Sequence, residues 1–181
     1  MLHGSINEAP QVFEANKYLA VKGLIQDPLL LTSHRYALLQ AQVGNMAMDD
    51  SQVPNTPGRY GDPLMETLLE LLCPSVEQMT GLDLYPTYSY FRVYKNSDVL
   101  KPHHDRPSCE ISVTMNLGFD APEPWPLYFR DGETGTQVDL DPGDAVVYRG
   151  CDVVHWRESF VGEYHAQVFL HHVDRKGPCA E

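Results

Sequence analysis

The chain has 181 residues, which suits one domain at roughly 100–200 residues each and is enough to bury a core without disulfides. Its 43% hydrophobic and 21% charged composition excludes wholesale disorder, and a net charge of −12 excludes the basic surface that nucleic acids and anionic membranes require. There is no apolar run of roughly 18 residues, no basic-then-apolar signal at the N-terminus, and no CxxC pair among Cys73, Cys109, Cys151 and Cys179, so free thiols and a cytoplasmic protein are expected.

Residues of about 10–82 have helical character. The leucine-rich stretch from Leu19 to Leu39 predicts helix, broken at Asp27-Pro28. Residues 44–62, with Val53-Pro54-Asn55-Thr56-Pro57-Gly58 at their centre, predict a loop. Asp62 is placed to cap a helix that has Pro63 in its first turn, and Met65, Leu68, Leu69 and Leu72 form one apolar stripe along it. Pro74 is expected to interrupt that helix, a further turn or two reaching Gly81.

From about residue 85 to 173 the pattern changes to strands. In Thr87–Tyr94, Tyr88, Tyr90, Arg92 and Tyr94 share one face and Ser89, Phe91 and Val93 the other. In Glu110–Leu117, Ile111, Val113, Met115 and Leu117 oppose Ser112, Thr114 and Asn116. Further strands are predicted near Pro126–Phe129, Thr136–Leu140, Ala145–Arg149 and Tyr164–His172, with a tight turn at Asp141-Pro142-Gly143-Asp144. Helices followed by many short strands give an α+β sandwich or barrel with helices packed on one side.

Eight histidines are present, and Lys101-Pro102-His103-His104-Asp105 is the informative group. On an extended segment His103 and Asp105 project to one side and His104 to the other. Two imidazoles and one carboxylate on one face of an octahedron make the facial triad of non-haem Fe(II), and His155, 52 residues after His103, is the candidate for the second imidazole. His172-Val173-Asp174 repeats the two-residue spacing but has no histidine after it, so it cannot complete a triad in the same order. Trp156 alternates away from the metal face, and Glu158 beside Arg157 reads as a surface ion pair.

Two stretches, Phe91-Arg92-Val93-Tyr94 leading to His103-His104-Asp105 and Gly143-Asp144-Ala145-Val146-Val147-Tyr148 leading to His155, resemble the Fe(II)/2-oxoglutarate-dependent dioxygenases, nearest their prolyl-4-hydroxylase-like branch. The resemblance implies one domain over residues 1–181: a double-stranded β-helix, or jelly roll, with N-terminal support helices. It implies His103, Asp105 and His155 as iron ligands, and Fe(II), 2-oxoglutarate and O2 as cofactor and cosubstrates. The reaction implied is hydroxylation of a C–H bond in an amino-acid, peptide or small-molecule substrate, with release of succinate and CO2. The Asp105 carboxylate, absent from related halogenases, favours oxidation over halide transfer.

The sequence departs from the family about ten residues after the distal histidine, where an Arg or Lys usually pairs with the far carboxylate of 2-oxoglutarate. Here Tyr164 and His165 stand at that place. His165 and Gln167 would face the pocket together, Arg157 shares the face of His155, and Arg92 shares its face with Tyr94 and two further tyrosines. Arg157 and His165 rank level as anchors, with Arg92 third, because a planar guanidinium grips both oxygens of a carboxylate. Residues 44–62 and 120–125 are the expected lid elements. Two other readings stay open: a cupin-like jelly roll holding Zn or Mn without 2-oxoglutarate, and a metal-free β-sandwich that binds a sugar or peptide.

Overall fold

A computed structural model describes residues 8–131 and 134–180; the reading of the N-terminal segment, with His3, lies outside the described residues. The chain runs α1 (Ala9–Asn16), β1 (Tyr18–Val21), α2 (Leu29–Gln42), β2 (Gly58–Tyr60), α3 (Pro63–Thr80), β3 (Leu84–Lys95) and β4 (Leu100–His103). A short 3-10 turn (Pro107–Cys109) leads into β5 (Ile111–Asp120), β6 (Leu127–Asp131), β7 (Thr134–Val138), β8 (Ala145–Arg149), β9 (His155–Arg157) and β10 (Tyr164–Asp174). All strand pairs are antiparallel, in a six-stranded sheet β1-β8-β5-β10-β3-β2 and a four-stranded sheet β4-β9-β6-β7. This is the jelly-roll architecture, with helices against one face of the larger sheet. No helix among the described residues is long and apolar enough to cross a membrane, and all four cysteines are free.

The expected alternation assigns the two faces of the large sheet. Phe91 and Val93 of β3, Ile111, Val113, Met115 and Leu117 of β5, and Ala166, Val168 and Leu170 of β10 form one core with the helices. The opposite face is the informative one. Arg92, Ser112, Thr114, Asn116, His165, Gln167 and His171 are all buried. Polar side chains on a sheet normally face water, so a buried polar stripe between two sheets needs partners or a ligand.

Two expected helix boundaries move. Pro74 does not interrupt α3, which runs unbroken to Thr80 and closes on Gly81 at φ +72°. An interior proline costs about 3 kcal/mol, but burial of Met65, Leu68, Leu69, Leu72, Cys73 and Val76 at about 1.5–3 kcal/mol for each large side chain outweighs it. Asp62 caps this helix as expected, accepting from Leu64 N at 3.0 Å. The start of the Leu19–Leu39 stretch is not helix. Tyr18–Val21 forms β1 on the open edge of β8, where the Tyr18 ring stacks on Phe129 at 4.6 Å. An edge with unsatisfied hydrogen bonds decides the matter for so short an apolar segment. Residues 58–60 of the expected loop likewise add to the sheet, as β2 beside β3.

His172 sits on the helix side of β10, fully buried, and neither ring nitrogen makes a hydrogen bond among the described residues. Burial pushes its pKa down to about 4, outweighing the nearby Ile111 backbone. The unfolded chain, near the ordinary 6.5, therefore takes up this proton first as pH falls. Stability present above about pH 6.5 is lost as pH falls toward 4, by about 2 kcal/mol at pH 5 from this residue alone. His172→Leu is expected to raise the melting temperature at pH 5 clearly more than at pH 8; equal shifts at both pH values would refute the assignment.

Candidate metal centre and cosubstrate pocket

β4 and β9 pair so that His103 lies directly opposite His155, with ring centroids 4.3 Å apart. Each ring is oriented by a main-chain carbonyl: His103 Nδ1 lies 2.9 Å from Lys101 O, and His155 Nδ1 lies 3.1 Å from Val153 O. A carbonyl only accepts, so both Nδ1 atoms carry a proton, and in the neutral ring Nε2 is the atom left with a lone pair for a metal. Asp105 follows β4, its N–H donating to Gly150 O at 2.8 Å. Its Oδ1 lies 3.6 Å from His103 Nε2 and 3.5 Å from His155 Nε2. The three groups each offer one ligand atom within 4.8 Å of the others. Two neutral imidazoles and a carboxylate are the donor set that suits Fe(II) and leaves further coordination positions open.

The charges fit this use. Burial pulls the Asp105 carboxyl upward, but the His103 and His155 imidazoles overcome it and hold it well below the usual carboxylate range. Burial pulls His103 down, and Asp105, with the Lys101 carbonyl, raises it above its ordinary value. The carboxylate also has a support that sequence reasoning missed. Ser112 Oγ lies 2.9 Å from Asp105 Oδ2 and 3.0 Å from His171 Nδ1. Burial holds His171 down at about 4, so it is neutral near pH 7. With the Ser112 proton given to Asp105, His171 Nδ1–H donates to Ser112. This relay fixes which oxygen of Asp105 faces the imidazoles. Ser112→Ala is expected to weaken Ni(II) affinity about tenfold, measured by calorimetry, because residues that orient metal ligands typically carry an effect of that order. An unchanged affinity would remove Ser112 from the site.

The triad opens into a cavity of about 760 Å³ whose lining includes Thr114, Tyr148, Gln167, Phe169 and His171. Asn116 does not line it; its side chain holds the Leu140 carbonyl instead. Asp49, Asp50, Ser51 and Gln52, from the expected lid at 44–62, lie along the cavity. The second expected lid, 120–125, does not: Trp125 is buried against Tyr94 and Phe160, with Nε1 donating to Glu158 O at 3.0 Å. His104 is exposed at the rim. The His172-Val173-Asp174 spacing holds no site, since His172 lies on the far face and Asp174 accepts from Lys176 N.

The candidate anchors separate clearly. Arg92 reaches the cavity, but its guanidinium is spent on Asp50 and the Tyr90 hydroxyl. Burial, reinforced by the Arg157 charge, keeps His165 well below its ordinary pKa, so it carries no charge near neutral pH. Arg157 is 1% exposed and makes no ion pair among the described residues. Its expected surface pairing with Glu158 is absent, because Glu158 accepts from Trp156 Nε1. The Arg157 guanidinium stacks on Trp125, donates to Trp125 O, and donates to Gln167 Oε1 at 2.8 Å. Burial lowers its pKa to about 10, which leaves it a cation near neutral pH. Arg157 Nε, Gln167 Nε2 and the Tyr94 hydroxyl are buried without a hydrogen-bond partner among the described residues; Tyr94 and Gln167 line the cavity, and Arg157 lies behind Gln167 rather than in the lining. Unsatisfied donors beside an uncompensated buried cation favour an anionic acceptor.

No protein-family model and no curated protein matches the sequence. Solved structures match the fold. The non-haem alpha-ketoglutarate-dependent epimerase SnoN of nogalamycin biosynthesis aligns with a TM-score of 0.79 at 14% identity, over 93% of this chain and 80% of its own. A prolyl-4-hydroxylase from Pseudomonas putida aligns at 0.76 and 13%, over 94% of this chain and 100% of its own. HygX from Streptomyces hygroscopicus, solved with nickel and 2-oxoglutarate, aligns at 0.73 and 11%, over 96% and 89%. The chain therefore has the double-stranded β-helix fold of the 2-oxoglutarate-dependent oxygenases.

Proposed function

We propose that this protein is an Fe(II)- and 2-oxoglutarate-dependent oxygenase that hydroxylates a C–H bond of an amino-acid, peptide or small-molecule substrate in the cytoplasm. The observation that carries the reading is the pairing of the His103, Asp105 and His155 cluster with the buried, uncompensated Arg157 in one roll. A metal ion held by the triad alone would leave that cation without a counter-charge. In this reading His103, Asp105 and His155 hold the metal, and Arg157, Gln167 and Tyr94 receive the far carboxylate of 2-oxoglutarate. The formal charges of a divalent ion, Asp105, Arg157 and the dianion then sum to zero, which removes the cost of a lone buried guanidinium.

When bound, iron, 2-oxoglutarate and O2 would supply the oxidising chemistry, one oxygen atom going to the substrate and the other to succinate, with CO2 released; the chain supplies position and a pocket that excludes water. The Phe129 and Tyr148 rings pack against His155 and shield it from solvent. Structures of the same fold hold ligands as different as hygromycin B and a peptide fragment, so the fold alone does not select the substrate.

The test is succinate release from purified protein with Fe(II), 2-oxoglutarate and oxygen, beside calorimetric binding of 2-oxoglutarate to the Ni(II)-loaded protein. Binding with slow, substrate-independent succinate formation is expected, both lost in His155→Ala. Wild-type protein that binds neither ligand would overturn the reading.

A further inference from the structure

The outer wall of the cavity is a continuous set of rings. Tyr60, 54% exposed at the mouth, lies 5.7 Å from Tyr88 and 4.2 Å from Tyr90. Tyr88 in turn lies 4.7 Å from His171, beside the Ser112–Asp105 relay. The wall thus leads from solvent to the metal ligands.

One cation is set into it. Arg106 lies 5.0 Å from the Tyr88 ring centre and 5.8 Å from that of Tyr60. Its Nε and Nη2 donate to the Tyr88 hydroxyl at 3.0 and 2.6 Å. Those bonds orient the guanidinium plane and occupy one edge of its fork. Nη1 makes no hydrogen bond to a nitrogen or oxygen among the described residues; the Cys109 thiol, itself paired with the Tyr88 hydroxyl, interacts with the guanidinium. Three arginines line the cavity, and the other two are committed: Arg59 pairs with Asp62, and Arg92 with Asp50. Arg106 forms no ion pair among the described residues, in a chain with 25 acidic and 13 basic residues. A guanidinium oriented on two aromatic rings, with a bidentate edge open at the mouth of a cavity, is a receptor for a carboxylate.

We propose that the substrate is a small organic carboxylate, bound end-on by Arg106, with its apolar body lying along Tyr60 and Tyr88 toward His171. This rests on the oxygenase reading, but its ligand is distinct from 2-oxoglutarate, whose far carboxylate belongs with Arg157 deeper in the roll. Arg106 is here a specificity residue.

The test uses 3-phenylpropionate and its uncharged isostere 3-phenylpropionamide as probes, titrated by NMR into Ni(II)-loaded protein saturated with 2-oxoglutarate. The acid is expected to bind about tenfold more tightly than the amide, given charge-assisted bidentate hydrogen bonds. Arg106→Gln should bring the two within about twofold and Arg106→Lys should keep part of the preference, because a point charge without the fork retains attraction but not geometry. Arg106 is exposed, so an unchanged melting temperature verifies that the variants fold. Equal binding of acid and amide by wild type, a preference that survives Arg106→Gln, or no binding of the acid at millimolar concentration would each overturn the proposal. Tighter binding of 2-phenylethyl phosphate than of the acid would overturn the choice of a carboxylate. If wild type takes up neither Ni(II) nor 2-oxoglutarate, the oxygenase reading fails, and the same ratio measured on metal-free protein still decides on Arg106.

Discussion

Arg157→Gln is expected to weaken 2-oxoglutarate binding about a hundredfold or more while leaving Ni(II) affinity unchanged. The side chain is distant in role from the metal ligands: its contacts are Trp125 O, the Trp125 ring and Gln167 Oε1. Removing one partner of a buried, hydrogen-bonded charge pair costs about 2–5 kcal/mol, which at 1.4 kcal/mol per decade is thirtyfold to several thousandfold. The unliganded variant should behave differently from an ordinary core lesion. In the ligand-free protein Arg157 is a cation without a counterion at 1% exposure, so Gln at this position removes a desolvation penalty as well as a hydrogen bond. The melting temperature without ligand is therefore expected to stay near wild type or rise, while the rise produced by 2-oxoglutarate disappears. A variant that still binds 2-oxoglutarate at wild-type affinity would transfer the anchor to another residue. Arg157→Lys should fall between the two, because it restores charge without the planar fork.

The parts of this molecule that were legible in its sequence are those set by period and by local chemistry. Alternation in β3 and β5 separated Phe91, Val93, Ile111 and Val113 from Arg92, Ser112 and Thr114, and the faces lie as expected. The cap at Asp62 and the turn at Asp141–Asp144 depend on neighbours within a few residues, and both are present. His103, Asp105 and His155 could be grouped because two of them stand two residues apart in an extended segment and a third follows within the strand-rich part. What failed depended on partners far along the chain. Tyr18–Val21 became a strand because β8 offered an edge, and Pro74 stayed in a helix because the sheet buried the face around it. Arg157 and His165 could not be ranked, since the ranking depends on where Glu158 turns and on the position of the Trp125 carbonyl. The link through Ser112 joins Asp105, β5 and β10, and no local spacing marks it. That Arg106 is left without an ion pair among the described residues is visible only once Asp50 and Asp62 have been assigned to the other two cavity arginines.

Gly150→Ala is expected to abolish measurable Ni(II) binding although Gly150 supplies no ligand atom. Gly150 follows β8, where its N–H donates to Glu110 O at 3.0 Å and its carbonyl accepts from Asp105 N at 2.8 Å. A Cβ at this position would fall on Asp105 Oδ2, and would stand 2.8 Å from Asp105 Cβ and 2.5 Å from Cys109 O. Cys109 O is main chain and also lies 3.0 Å from Ser112 Oγ, so it cannot easily yield. The Asp105 side chain must then rotate away from His103 and His155, and the link to Ser112 breaks with it. Loss of orientation alone carries about 10–100-fold in metal affinity; displacement of the ligand itself should exceed that. Overpacking should also cost about 1–3 kcal/mol of stability. A double-mutant cycle separates the two effects. Asp105→Gly alone loses the metal without the clash, and Asp105→Gly combined with Gly150→Ala should recover part of the stability lost in Gly150→Ala, because the colliding carboxylate and its Cβ are gone while the approach to Cys109 O remains, yet recover no metal affinity. Calorimetry with Ni(II) and thermal melts on the four proteins supply both readouts. Additive losses of stability would show that Gly150 and Asp105 do not meet, and the close approach that aims the carboxylate at the two imidazoles would have to be abandoned.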